Sequence, residues 1–157
     1  MEEYKAYVSR MVRERSHSDM PVLTSGDAFV SKKAMISDTV GRLRIFTPNI
    51  AEDYKELFWN LSRREAEIIS IEGTNSEEVL DLLRGSSKLE LFSLDFSKIS
   101  SVFQKPNEVP SLIVNNPYAV YLYDHPVGSI NFGNPERAYK MNGYFEKLKA
   151  MSCPVLC

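Results

Sequence analysis

The stretch Ser111–Asn131, SLIVNNPYAVYLYDHPVGSIN, leaves the chain few ways to fold. Leu112-Ile113-Val114 is a short apolar run stopped by Asn115-Asn116-Pro117. Asparagine tolerates left-handed backbone, and Pro117 fixes φ and removes a donor, so a turn belongs there. Tyr118 to Tyr123 is rich in aromatic and β-branched residues and predicts a strand. Asp124-His125-Pro126 makes a second turn, and Val127 to Phe132 a third short strand closed by Gly133-Asn134-Pro135. Two tight connections imply consecutive antiparallel strands. In the last of them Ser129 and Asn131 alternate with Ile130 and so share one face.

Ahead of the hairpins the hydrophobic period changes. Ser25-Gly26-Asp27 opens a predicted helix over about 27–40, with Phe29, Val30, Ala34, Ile36 and Val40 apolar and Gly41 as its stop. Leu43 to Phe46 predicts a strand. Asn49, with Glu52 three residues on, then caps a helix expected from Ile50 to Arg63, with Trp59 off its apolar stripe. Ala66 to Ile71 predicts the next strand, Glu77 to Arg84 a helix ended by Gly85, and Leu89 to Leu94 a third strand. Asp95 to Pro110 is mostly connection, with a loop at Lys105-Pro106-Asn107. After the hairpins Asn134 caps and Pro135 opens a helix to about residue 150, with Ala138, Met141, Tyr144, Phe145 and Leu148 on its buried stripe. At the start of the chain Tyr4, Tyr7, Val8, Met11 and Val12 recur at helical spacing.

Strands that alternate with helices require parallel pairing and right-handed crossovers. The fold class expected is therefore α/β: a mixed, mostly parallel sheet with C-terminal antiparallel hairpins and helices on both faces. Residues 1–20 read as an N-terminal helix and linker, and residues 21–157 as one domain.

Composition excludes more than it identifies. With 157 residues, 43% of them apolar, the chain can build a core without metal or disulfide. A net charge of −2 gives no argument for nucleic acid or a membrane surface, and no apolar run approaches the ~20 residues of a membrane span. Met1 to Ser18 lacks the apolar core of a secretory signal, so a cytoplasmic location is expected. Cys153 and Cys157 match neither Cys-x-x-Cys nor a prenylation box and read as reduced thiols. With only His17 and His125 to join them, no metal site and no cofactor is expected. His17 lies in a polar turn. An acid–base role for Asp124-His125 is disfavoured, because the pair sits in a bend. There is no G-x-S-x-G elbow and no Gly-rich phosphate loop.

Gly128, Ser129 and Asn131 form a Gly-Ser-x-Asn sequence on a strand that follows a hairpin. In this the chain resembles the phospholipase D family, whose signature is His-x-Lys-x-x-x-x-Asp followed by Gly-Ser-x-Asn. The order of elements, the hairpins and the final amphipathic helix extend the resemblance over roughly residues 21–155. The chain departs from the family where its chemistry lies. Either Asn115 stands in place of the aspartate, and counting back puts Glu108 and Pro110 at the histidine and lysine positions, or the family's spacing held from Gly128 puts Tyr121, Asn116 and Val114 at the aspartate, lysine and histidine positions. The resemblance implies a degenerate, catalytically dead phospholipase D-like half. It is similar to the ligand-sensing domains of some prokaryotic transcription regulators. It also implies self-association as a homodimer, with the helix over residues 1–15 as the seam.

Three functions are consistent with this: a non-catalytic binding or sensor module, a protein–protein interaction or scaffold domain without a small ligand, and a phosphodiesterase or nuclease with an unorthodox site. In alternating sheets, ligands bind beyond the carboxyl ends of the parallel strands. Thr47, Asn49 and the segment from Glu72 to Asn75 gather at that edge, and the resemblance adds Asn115, Ser129 and Asn131. These groups are mostly neutral and none is basic. They fit a polar uncharged small molecule such as a sugar or a nucleoside. The bland alternative is that Asn49 only caps its helix and that Ser129 and Asn131 only satisfy the hairpin backbone. Tyr118, Tyr121, Tyr123, Tyr139 and Tyr144 crowd the last third, as core or as the wall of a cleft.

Overall fold

The computed structural model describes residues 2–16, 18–115, 119–124 and 127–155. Within them lie strands β1 (Met20–Val22), β2 (Leu43–Asn49), β3 (Ala66–Glu72), β4 (Leu89–Ser93), β5 (Ser111–Asn115), β6 (Ala119–Asp124), β7 (Val127–Asn131) and β8 (Cys153–Pro154). They form one sheet in the order β1-β7-β6-β5-β2-β3-β4-β8. The centre reads as nearly continuous apolar sequence, Ile45-Phe46 in β2 and Ile68-Ile69 in β3, because both faces of these strands are covered. β2, β3 and β4 pair in parallel. The mixed α/β sheet, its C-terminal hairpins and helices on both faces are as the sequence predicts. Antiparallel ladders outnumber parallel ones, because β5 returns against β2 in the opposite direction and every later strand pairs antiparallel too. The turns expected at Asn116-Pro117 and His125-Pro126, and Tyr118, lie outside the described residues, as do His17 and Cys157.

The helices are α1 (Glu2–Glu14), α2 (Ser25–Ser37), α3 (Ile50–Asp53), α4 (Phe58–Leu61), α5 (Glu77–Arg84) and α6 (Pro135–Ala150). α2 starts earlier than expected because Thr24 is its cap: the Thr24 hydroxyl accepts from the Asp27 amide at 3.0 Å. It also ends earlier, and Val40 is 71% exposed rather than on an apolar side. The single helix expected from Ile50 to Arg63 is broken. α3 stops at Tyr54, whose φ of −124° and ψ of 9° leave the helical region, and a tight turn at Lys55–Leu57 leads into α4. The break lets Tyr54, Leu57 and Leu61 all reach the core.

Two cores result. On one face α1 to α5 cover Ile45, Ile68, Ile113 and Tyr121. On the other, α6 and the connection after β4 cover Phe46, Ile69, Val114 and Val120. Val8 and Met11 of α1 belong to the first core, and the Tyr4 hydroxyl shares a 2.9 Å hydrogen bond with Ser31 of α2. The apolar side of α1 is thus covered by its own chain. β1, which pairs with β7, spans the boundary read at residue 20.

Gly73, just after β3, has φ +80°, and a β-carbon there would collide with Asn49 Oδ1 and come within 3.1 Å of the Ala51 amide. Only glycine lets this turn press against the start of α3.

Candidate functional site

Parallel β2 and β3 end together, with Asn49 opposite Glu72. At the same edge β5 begins and β6 ends, with Ser111 opposite Tyr123. α2 and α3 stand over this edge. The space between is a cleft of about 480 Å³, lined among others by Lys32, Asn49, Asp53, Glu72, Tyr121 and Tyr123.

The polar groups here hold one another in place. The Thr47 hydroxyl donates to the Asp53 carboxylate, and the Asn49 amide reaches the same oxygen at 3.4 Å. Asn49 Oδ1 caps α3 by accepting from the Glu52 amide at 3.1 Å, and Ser70 Oγ accepts from the Ile50 amide at 3.0 Å. Lys32 enters from α2. Its Nζ donates to the Asp53 carbonyl at 2.8 Å and lies 5.0 Å from the centre of the Tyr54 ring. Burial pushes the Lys32 ammonium below the ordinary lysine range, against the opposing pull of the Asp53 and Glu56 carboxylates. Among the described residues Lys32 has no ion-pair partner. Tyr121 is only 2% exposed, and burial, with Tyr123, Asp53 and Tyr4 nearby, raises its pKa far enough to keep the phenol neutral. Glu52 and Glu72 of the lining are exposed.

The five residues predicted for a site do not converge. Asn49 lines the cleft and Thr47 stands behind it, fixing Asp53. Asn115 is at the opposite end of the sheet, facing Leu43 at the start of β2, where its Nδ2 donates to the Val40 carbonyl at 2.8 Å. Four residues of strand separate it from Thr47, on the order of 13 Å. Ser129 and Asn131 lie on β7, three strands from β2, and are tied into a different cluster. Arg137 of α6 donates to Ser129 Oγ at 2.7 Å and to Asp19 Oδ1 at 2.8 Å, and Asn131 Nδ2 donates to the same Asp19 oxygen at 2.7 Å. This cluster fastens the approach to β1 onto the first turns of α6. Gly128 packs closely on Tyr123: a β-carbon there would lie 2.7 Å from the Tyr123 ring.

Sequence reasoning missed Lys32 and Asp53, and Lys32 adds a basic group to an edge whose named residues include none. A signal was present: Ser25, Ala28 and Lys32 recur at helical spacing, a stripe of small residues that ends in a lysine. A larger open hollow of about 790 Å³ lies along α6, but its Arg44 is paired with Glu67 and Glu146 and its Arg42 with Glu65, Glu67 and Glu90. No group of three or more metal-ligating side chains occurs among the described residues. No helix there is long and apolar enough to cross a membrane.

Solved structures with a similar fold include a phospholipase D family member, Nuc from Salmonella typhimurium, with a TM-score of 0.63 and 12% identity over 87% of this chain and 97% of that one. NucT from Helicobacter pylori matches with a TM-score of 0.65 and 12% identity over 87% of this chain and 98% of that one. TrmBL2, an archaeal chromatin protein described as showing a novel mode of DNA binding, matches with a TM-score of 0.62 and 12% identity over 97% of this chain and 60% of that one. The chain therefore has a phospholipase D-like fold. No family model matches the chain, and no curated protein is similar to it in sequence.

Proposed function

We propose that this chain is a non-catalytic, phospholipase D-like binding module whose ligand is a small polar molecule held in the cleft of Lys32, Asn49, Tyr121 and Tyr123. The observation that carries the reading is the cleft itself. It is about 480 Å³ in volume, within the range of small-molecule sites, and it lies beyond the carboxyl ends of the parallel strands. It is furnished with hydrogen-bonding groups, and Glu108, Pro110 and Asn115 are not among its lining residues.

Phosphodiester chemistry is disfavoured on the same grounds. The positions that would carry it are Glu108, Pro110 and Asn115, and the Asn115 side chain is buried against Val40. Glu52 and Glu72 of the lining would repel a phosphodiester. The setting proposed is the sensing part of a prokaryotic regulator that works as a cytoplasmic homodimer; the likeness to TrmBL2, a DNA-binding chromatin protein of which this chain spans about 60%, fits a setting near DNA.

A thermal-shift screen of metabolites tests the reading. A ligand at ~100 times its Kd stabilises by about 2.7 kcal/mol. The expected result is a stabiliser whose effect is lost in Asn49→Ala and Tyr123→Ala and kept in the double variant Ser129→Ala, Asn131→Ala. Turnover of a generic phosphodiester by the pure protein would contradict it. A screen without any stabiliser would leave the scaffold reading in its place.

A further inference from the structure

The cleft carries both signs of charge, on groups of different burial. Lys32 is half-buried, and Glu52 and Glu72 are exposed. An ammonium has three donors, and only one of Lys32's is accounted for, by the Asp53 carbonyl. The Asp53 carboxylate is engaged by Thr47 and by the Asn49 amide, and it pulls on Lys32 without an ion pair among the described residues. A desolvated cation with free donors gains from a carboxylate brought to it. Neither Glu52 nor Glu72 has an ion-pair partner among the described residues.

This pair of charges sorts ligands by charge. A simple anion meets the repulsion of Glu52 and Glu72, and a simple cation that of Lys32. A neutral molecule brings no carboxylate to Lys32. A molecule with a carboxylate at one end and an ammonium at the other answers both. Tyr121, Tyr123, Pro48 and Pro106 of the same cleft give an apolar and aromatic wall for the remainder.

We propose that the cleft takes a zwitterion of the free amino-acid type, its carboxylate on Lys32 and its ammonium between Glu52 and Glu72. The proposal rests on the reading of this cleft as the binding site and names the class of its ligand.

Calorimetric titration tests it with the free protein amino acids, each beside its decarboxylated amine and its deaminated acid, at millimolar concentration. The expected result is an amino acid that binds about tenfold or more tightly than either single-charge analogue. Lys32→Met should abolish its advantage over the amine, and Glu72→Gln should reduce its advantage over the acid, with both variants shown to be folded by circular dichroism. Equal binding of an analogue, or no binding by any amino acid, overturns the proposal. A neutral sugar that binds and is lost in Asn49→Ala would overturn it while leaving the cleft as the binding site.

Discussion

Lys32 donates to the main-chain carbonyl of Asp53 across 2.8 Å, while the carboxylate of Asp53 is turned to Thr47 and to the amide of Asn49. The residue that positions the lysine thus directs its own side chain elsewhere. A desolvated cation with no ion-pair partner is unfavourable for an empty cleft and useful for a filled one, the kind of compromise that marks binding sites.

Lys32→Met should therefore stabilise the ligand-free protein at neutral pH, by about 1 kcal/mol or ~2–4 °C in Tm for a chain of this size. The sign follows from linkage. The folded-state pKa of Lys32 lies below the ordinary 10.5, so the unfolded chain binds the proton more readily. The penalty is present at neutral pH and is relieved as pH rises through the folded value towards 10.5. Calorimetric melting of both proteins across this range should show the gap in Tm shrinking as pH rises.

Glu67 gives the opposite dependence. Its carboxylate is 1% exposed beneath α6, where Lys149 donates to it and Arg44 and Arg42 approach to 3.3 and 3.5 Å. Burial pushes its pKa up, but the Lys149 hydrogen bond and the three positive charges outweigh this and hold it below the ordinary 4.5. Its contribution is present above that value and is lost as pH falls through the folded one. Glu67→Ala should cost about 3 kcal/mol at pH 7, the low end for a broken buried pair because Arg44 and Lys149 reach water. Urea unfolding should show the gap to wild type narrowing below the ordinary glutamate value.

Gly73→Ala should cost about 2 kcal/mol or more. The substitution forces a left-handed residue, and the new methyl meets Asn49 Oδ1 and the start of α3. Since Asn49 lines the cleft, ligand affinity should fall with stability, read by unfolding and titration on the same sample.

How far the sequence revealed these features depended on how local their causes are. α5 and α6 have the limits expected from Gly85, Asn134 and Pro135, because caps act within a turn of the residues they end. The break at Tyr54 was not legible, since it follows from the burial of Tyr54 and Leu57 against a sheet that local pattern does not describe. Thr47 and Asn49 stand at the carboxyl end of β2, a position that follows from alternation alone. Asn115 lies at the other end of the sheet because β5 meets β2 antiparallel, and Ser129 and Asn131 lie three strands away on β7, held by Arg137 and Asp19. Lys32 was missed because its role needs α2 to stand over the edge of the sheet.

Ser129→Ala with Asn131→Ala should lower stability by about 1–3 kcal/mol, as hydrogen bonds to Arg137 and Asp19 are lost. Ligand affinity should stay unchanged. A loss of affinity with stability intact would move the site to β7.

The most direct test of the binding cleft is amide chemical-shift mapping with the strongest stabilising metabolite. Binding in the cleft predicts the largest shifts at Ser25–Lys32, Asn49–Asp53, Ser111 and Tyr121–Tyr123, with little change at Ser129–Asn131 and along α6. Shifts centred on Ser129, Asn131 and Arg137, or on the hollow along α6, would contradict it.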